Sequence, residues 1–193
     1  SISHSSSFSF TESALGNYSN NANVWMRSNS IDLTNAATAQ LKFWTRWDIE
    51  ADLDFALVEI STNGGVSWSH VGGQFMTAAS GIGVQTTGLH GYDGRQDSWV
   101  EEKINLNNYC GQNIMIRFRL ITDSGVTEDG WYLDDIAVHT LPNQANIPPY
   151  IESVNNLGYQ QYNGAPYPVD AIVWDDQGIN HVSLFYSTDN GMT

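Results

Sequence analysis

Alternation of apolar and polar residues, rather than an apolar period of three to four, runs through most of this chain. It is clearest in LKFWTRW at 41–47, DFALVEIS at 54–61, WVEEKINL at 99–106, NIMIRFRLIT at 113–122 and GWYLDDIAVHT at 130–140. These runs are rich in β-branched and aromatic residues and are bounded by Gly, Asn, Asp and Ser, which predicts strands. No stretch sustains a helical period, so the fold class read from the pattern is all-β. STNGG at 61–65, between VEI and VSW, predicts a hairpin turn with Asn and Gly where φ is positive. From Gly72 to Ser98 the chain is Gly-rich without alternation and predicts a long loop, the kind of segment that often carries function.

The pattern breaks at LPNQANIPPY, 141–150, where three of the five prolines fall within eight residues, an extended linker rather than sheet interior. The expected organisation is therefore a first domain over 1–141, a Pro-rich linker over 142–149 and a second domain over 150–193. Beyond the linker, YIESVNNLG, YPVDAIVWDDQG and INHVSLFYSTDNG read as the opening strands of an immunoglobulin-like or fibronectin-like sandwich. About 45 residues supply three or four strands where such a fold uses about seven, so this half is expected to be partial. Its open edge would then need covering, and self-association through it is one expectation.

Composition narrows the functions available. Over 193 residues the chain is 41% hydrophobic and 15% charged, enough to bury a substantial core, with no apolar run long enough to span a bilayer. A net charge of -14 and a pI near 4.3 repel phosphate backbones and anionic membranes, which argues against a nucleic-acid partner, and the carboxylates suit hard divalent cations. One cysteine, Cys110, excludes an internal disulfide, and no cysteine and histidine cluster has zinc spacing. The chain opens on SISHSSSFSF and stops on YSTDNGMT, so both ends read as cut from something longer.

Candidate chemistry is sparse. HExxH, HxxE, GxSxG and P-loop motifs are absent and the five histidines are scattered singly, so no catalytic residue is expected in this chain. The most telling stretch is RFRLITDSGVTEDGWYLDDIAVH, with adjacent aspartates inside an apolar strand. If Ile136 and Val138 face a core, alternation places Asp134 on their side and Asp135 with Leu133 and Ala137. An unpaired buried carboxylate costs several kcal/mol, so an inward aspartate calls for a metal ion or an arginine, with Arg46, Arg117 and Arg119 as the available guanidiniums. FTESALGNYSNNANVWM at 10–26 is dense in oxygen ligands, Glu12, Asn17, Asn20, Asn21 and Asn23, and such a loop can wrap calcium, although asparagine also caps turns without any ion. Among the aromatics, Trp25, Tyr92 and Tyr18 lie in loop-like segments and are the candidates for stacking on a sugar ring.

TESALGNYSNNANVWMRSNSIDL, LKFWTRWDIEADLDFALVEISTNGGVSW and YDGRQDSWVEEKINLNNYCGQNIMIRFRLITDSGVTEDGWYLDDIAV resemble, in this order, the MAM-like jelly-roll domain that lies C-terminal to secreted bacterial peptidases. The resemblance covers about residues 8–140, is strongest to the accessory domain of secreted zinc carboxypeptidases and is similar to that of immune inhibitor A-type metallopeptidases. It implies a jelly-roll β-sandwich followed by the partial immunoglobulin-like sandwich, export to the bacterial surface or medium, and a catalytic domain upstream in the parent chain. It also implies a structural calcium ion near the joined N- and C-terminal strands, with Glu12, Asn17, Asn23 and Asp135 as the matching ligands; Asp134 stays beside Asp135 because a bulge swaps the two. The function expected is a non-catalytic accessory module. The alternatives are a carbohydrate-binding module, meeting a glycan or cell-surface polymer, and an adhesive or filament-forming surface protein.

Overall fold

The computed structural model describes residues 3–5, 8–143, 150–154, 170–174 and 181–183. Eleven strands occupy the first unit: β1 (Phe10–Thr11), β2 (Asn23–Arg27), β3 (Ile31–Asp32), β4 (Ala36–Ile49), β5 (Phe55–Ser61), β6 (Ser69–His70), β7 (Thr77–Ala78), β8 (His90–Gly91), β9 (Gly94–Asn105), β10 (Asn113–Ile121) and β11 (Gly130–Pro142). Among the described residues a short 3-10 turn, Asn107–Tyr109, joins β9 to β10. All five strand runs read from alternation are present, and they form the centre of the fold. The chain separates into compact units over Ser1–Asn143 and Gln144–Thr193. Pro142, the first residue of the expected linker, still pairs with Ala36 at the end of β11.

Two antiparallel sheets make the first unit a β-sandwich. One has the order β1-β11-β4-β9 and the other β2-β10-β5-β6, with β3 also pairing along β10. Leu41, Phe43, Trp47, Ile104, Trp131 and Leu133 from the first sheet meet Val58, Ile60, Ile116, Phe118 and Leu120 from the second in one continuous core. Along β4 the buried residues are every second one, Ala39, Leu41, Phe43, Thr45, Trp47 and Ile49, as a strand with one face inward requires. Aromatic rings tie the layers together: Phe43 meets Phe118 edge-on at 5.2 Å, and Trp131 lies 5.8 Å from Phe118 and 5.3 Å from Tyr92. Ile116→Val removes one methylene from this core and is expected to lower stability by about 0.5–1.5 kcal/mol, read from a denaturant midpoint at unchanged slope.

The Gly-rich stretch folds back onto the sandwich. It forms the small β7–β8 ladder, bridges Ala56 to Tyr92, and is fastened from within by the buried carboxylate of Glu102, which accepts the backbone N–H of Gln74 at 2.7 Å and of Phe75 at 3.0 Å. In the second unit, β12 (Tyr150–Val154) and β13 (Ala171–Trp174) form an antiparallel pair. Of the third expected run, INHVSLFYSTDNG, only residues 181–183 are described and they are not in a strand; the rest lies outside the described residues. Among the described residues no helix is long and apolar enough to cross a membrane.

Candidate metal centre

A β-bulge decides the fate of the paired aspartates. Leu133 pairs with Thr45 and Val138 with Leu41, both on the core side, while Asp134 pairs with Trp44 on the outer face. The register slips between Asp134 and Ala137, with Asp135 in the left-handed region at φ 50. The extra residue restores Ile136 and Val138 to the core side without Asp134, contrary to the face that alternation predicts for it: Asp134 is buried, but beneath the chain's own residues 3–5 on the outer face. Its Oδ2 accepts the N–H of His4 at 2.9 Å and of Ser5 at 3.0 Å, and its Oδ1 accepts the N–H of Asp135 at 2.8 Å. Asp135 is held by the Ser5 hydroxyl and by His4 Nδ1 at 2.8 Å, and those two contacts, Ser5 first, hold its carboxyl below the usual range. The His4 ring lies flat on Trp44 at 3.7 Å.

The other expected ligands are placed separately. Glu12 Oε1 accepts the Trp131 N–H at 3.0 Å, Asn17 Nδ2 donates to the Thr127 carbonyl at 2.5 Å, and Asn23 Oδ1 accepts from Arg119 Nε at 2.8 Å. The side chains of Glu12, Asn17 and Asn23 are thus each engaged with a different neighbouring turn or strand, and those of Asp134 and Asp135 with residues 3–5, rather than with one another. Nor do the arginines serve the aspartates: Arg117 and Arg119 both pair with Glu59, and Arg46 lies 3.6 Å from Asp129. Tyr92 and Tyr18, expected in exposed loops, are buried at 0% and 4% exposure, because both loops pack onto the sandwich. The Tyr92 hydroxyl donates to Glu102 at 3.0 Å, and the Tyr18 hydroxyl accepts the Glu50 N–H at 2.9 Å. Only Trp25, at 53% exposure, remains open to a ligand.

Three other acids converge instead. Oxygens of Glu50, Asp54 and Asp123 lie within 4.8 Å of one another, the one such group of His, Cys, Asp or Glu side chains among the described residues. Glu50 follows β4, Asp54 precedes β5, and Asp123 lies just past β10; the pairing of Ile121 with Phe55 brings the two turns together at one end of the sandwich. Asp54 Oδ1 accepts the Asp123 N–H at 2.7 Å, whereas Asp54 Oδ2 and Glu50 Oε2 are buried without a partner at full hydrogen-bond geometry. The Tyr18 hydroxyl beside Asp54 and the Val126 N–H beside Glu50 are weaker contacts that offset only part of the cost of burial. Asp54 is 0% exposed, and none of the ion pairs among the described residues reaches any of the three. Two orphaned carboxylate oxygens facing a third acid are what a bound cation would neutralise. Calcium takes six to eight oxygen ligands at about 2.3–2.6 Å in flexible geometry, which suits such a cluster, whereas magnesium at about 2.0–2.1 Å demands a near-ideal octahedron.

The asparagine-rich loop borders this centre. Asn21 donates its N–H to the Asp123 carbonyl at 2.5 Å, and Asn20 Nδ2 donates to the Ser124 carbonyl at 3.0 Å. The density of oxygen ligands in the sequence singled out that loop but passed over Glu50, Asp54 and Asp123. The available signal was acids directly flanking strand ends, in DIEADLDF and ITDSG, which antiparallel pairing of their strands carries to one end of the sheet.

Burial raises the carboxyl pKa of Glu50, with the charges of Asp123 and Asp54 adding to it; burial likewise raises Asp54 and Glu12. A carboxyl whose folded pKa exceeds its unfolded value binds more protons when folded, so its contribution favours folding at low pH and is lost as pH rises from the unfolded value towards the folded one. The reference values are 3.8 for Asp54 and 4.5 for Glu50 and Glu12. In chelator, the melting temperature should rise as pH is lowered from neutral towards that range. Asp54→Asn should flatten this slope, as followed by scanning calorimetry at a series of pH values.

Fold and centre together define a β-sandwich module with an uncompensated acidic cluster at one end. Residues 10–148 match the family described as immune inhibitor A-like, MAM domain, and the chain belongs to that family. It is 29% identical to Bacillopeptidase F of Bacillus subtilis over 123 residues, 64% of this chain and 7% of that protein. It is 29% identical to pre-pro-metalloprotease PrtV of Vibrio cholerae over 140 residues, 72% of this chain and 14% of the relative. Against immune inhibitor A of Bacillus thuringiensis the identity is 28% over 120 residues, 61% of this chain and 16% of the relative. The chain thus spans less than a fifth of the length of these relatives.

Proposed function

We propose that this chain is a non-catalytic, calcium-stabilised accessory module of a larger secreted bacterial protease, with a zinc carboxypeptidase as the specific parent. The observation that carries the accessory reading is the share of each relative it matches: a segment of 7–16% within proteins named as a peptidase, a metalloprotease and an immune inhibitor. Catalysis then belongs to another part of the parent chain, and this module supplies a rigid body beside it. Support for calcium comes from the orphaned oxygens of Glu50 and Asp54 beside Asp123. When bound, the ion would compensate these three carboxylates and fasten the β4–β5 turn to the segment after β10.

The test compares the full parent chain with a version lacking this module. The shortened enzyme is expected to keep hydrolysis of short peptides, including zinc-dependent release of C-terminal amino acids, while losing secreted yield or thermal resistance. The isolated chain is expected to cleave neither casein nor peptides. Proteolysis by the isolated chain would overturn the accessory reading, and endopeptidase activity alone in the parent would remove the carboxypeptidase assignment.

A further inference from the structure

At the edge opposite β9 and β6 the sandwich is open. β1 pairs only with β11 and β2 only with β10 among the described residues, and a groove of about 300 Å³ runs between these two free edges. That volume stands at the lower end of ligand sites, about 300–1,000 Å³. Its floor is apolar and buried, with Phe118, Trp131 and Leu133, and its rims carry three apolar side chains left in solvent, Phe10 at 58%, Val24 at 41% and Trp25 at 53% exposure. Glu12 is the only charged group in the lining itself and takes part in none of the ion pairs among the described residues, while Arg27, over the Trp25 ring at 5.7 Å, and Arg119, paired with Trp25, lie outside it on β2 and β10.

A free strand edge presents unpaired N–H and C=O groups in register, the pattern that an extended peptide completes by adding a strand. Alternate side chains of such a peptide point to opposite sides, so one set fills the apolar floor while the other reaches the rim. The Glu12 carboxylate selects a cation there, and a net charge of -14 draws basic segments towards the whole surface. A sugar would find the Phe10 and Trp25 rings but would leave the backbone edges unpaired.

We propose that the groove between β1 and β2 docks an extended peptide segment of a partner protein in which apolar side chains alternate with lysine or arginine. The site is independent of the acidic centre and does not rest on calcium. Fluorescence polarisation tests it with a labelled, end-capped hexapeptide of alternating valine and lysine, and with the same peptide carrying glutamate for lysine. The valine–lysine peptide is expected to bind, more weakly as salt is raised, and the valine–glutamate peptide is not. Glu12→Gln keeps the oxygen that accepts the Trp131 N–H and should weaken binding at least tenfold at a melting temperature no lower than that of the unsubstituted chain; Val24→Lys on the rim should abolish it; Val66→Ser, remote and exposed, should leave it unaltered. No binding at millimolar peptide, equal binding of the glutamate peptide, or full affinity in Glu12→Gln overturns the proposal. So does a dimer in sedimentation that Val24→Lys dissolves, or displacement of the peptide by oligosaccharides.

Discussion

Calcium at a hundred times its dissociation constant is expected to raise the melting temperature of this chain by roughly 5–10 °C over the protein in chelator, and Asp54→Asn to remove that rise. A ligand bound only by the folded state contributes about 2.7 kcal/mol at that excess, and about 1 kcal/mol moves a chain of this size by roughly 2–4 °C. The asparagine side chain introduced by this substitution retains an oxygen for the Asp123 N–H, so the variant folds. It replaces a buried, partnerless carboxylate oxygen by a neutral group, so the variant in chelator should be at least as stable as the unsubstituted chain in chelator. Magnesium should shift the melt less, because it demands near-ideal octahedral geometry and gives up its water reluctantly. An unchanged calcium response in Asp54→Asn, or none in the unsubstituted chain, would remove the metal centre while leaving family membership untouched.

The second large effect is expected at Glu102, whose substitution by alanine should cost about 3–5 kcal/mol, read from a urea midpoint. This residue pairs with Phe43 across β9 and β4, and its carboxylate is 0% exposed at the core. Four donors end on it: the N–H groups of Gln74, Phe75 and Lys103 and the Tyr92 hydroxyl. Alanine leaves those donors unmet, and each buried one costs about 1–3 kcal/mol unless water reaches it. Glutamine should fall between, because an amide nitrogen in place of Oε2 can accept from neither Phe75 nor Tyr92. Gly73 belongs to the same arrangement: a Cβ there would stand 2.6 Å from the Glu102 carboxylate, so Gly73→Ala should loosen the same loop. Amide exchange at Gln74 and Phe75 would separate this account from general destabilisation; retained protection in Glu102→Ala would contradict it.

Alternation was legible because half-buried strands impose it, and it found β5, β10 and β11 nearly to their ends but only the middle of β4 and the second half of β9. What it did not carry was any interruption of the period. One left-handed residue, Asp135, shifts the second half of β11 by a position, and nothing local in WYLDDIAV distinguishes a bulged strand from a regular one. Burial of Tyr18 and Tyr92 was invisible for another reason: their segments lack a period, and only tertiary packing decides whether such a loop lies in solvent or on a core. Glu50, Asp54 and Asp123 meet through the β5–β10 ladder, a contact between segments more than sixty residues apart. The asparagine-rich loop borders this cluster, while Asn17, Asn20 and Asn23 bond to Thr127, Ser124 and Arg119.

The two-residue pairing of β1 with β11 has a mechanical consequence. Residues 3–5 leave β1 alongside Asp134 and Asp135, in the direction in which β11 itself runs out towards Pro142. A pull between the two ends of this unit therefore loads that pairing as a zipper, one bond after another, rather than in shear. Under tension the first strand should peel away at low force, while the sheets around β4, β5, β9 and β10 stay folded.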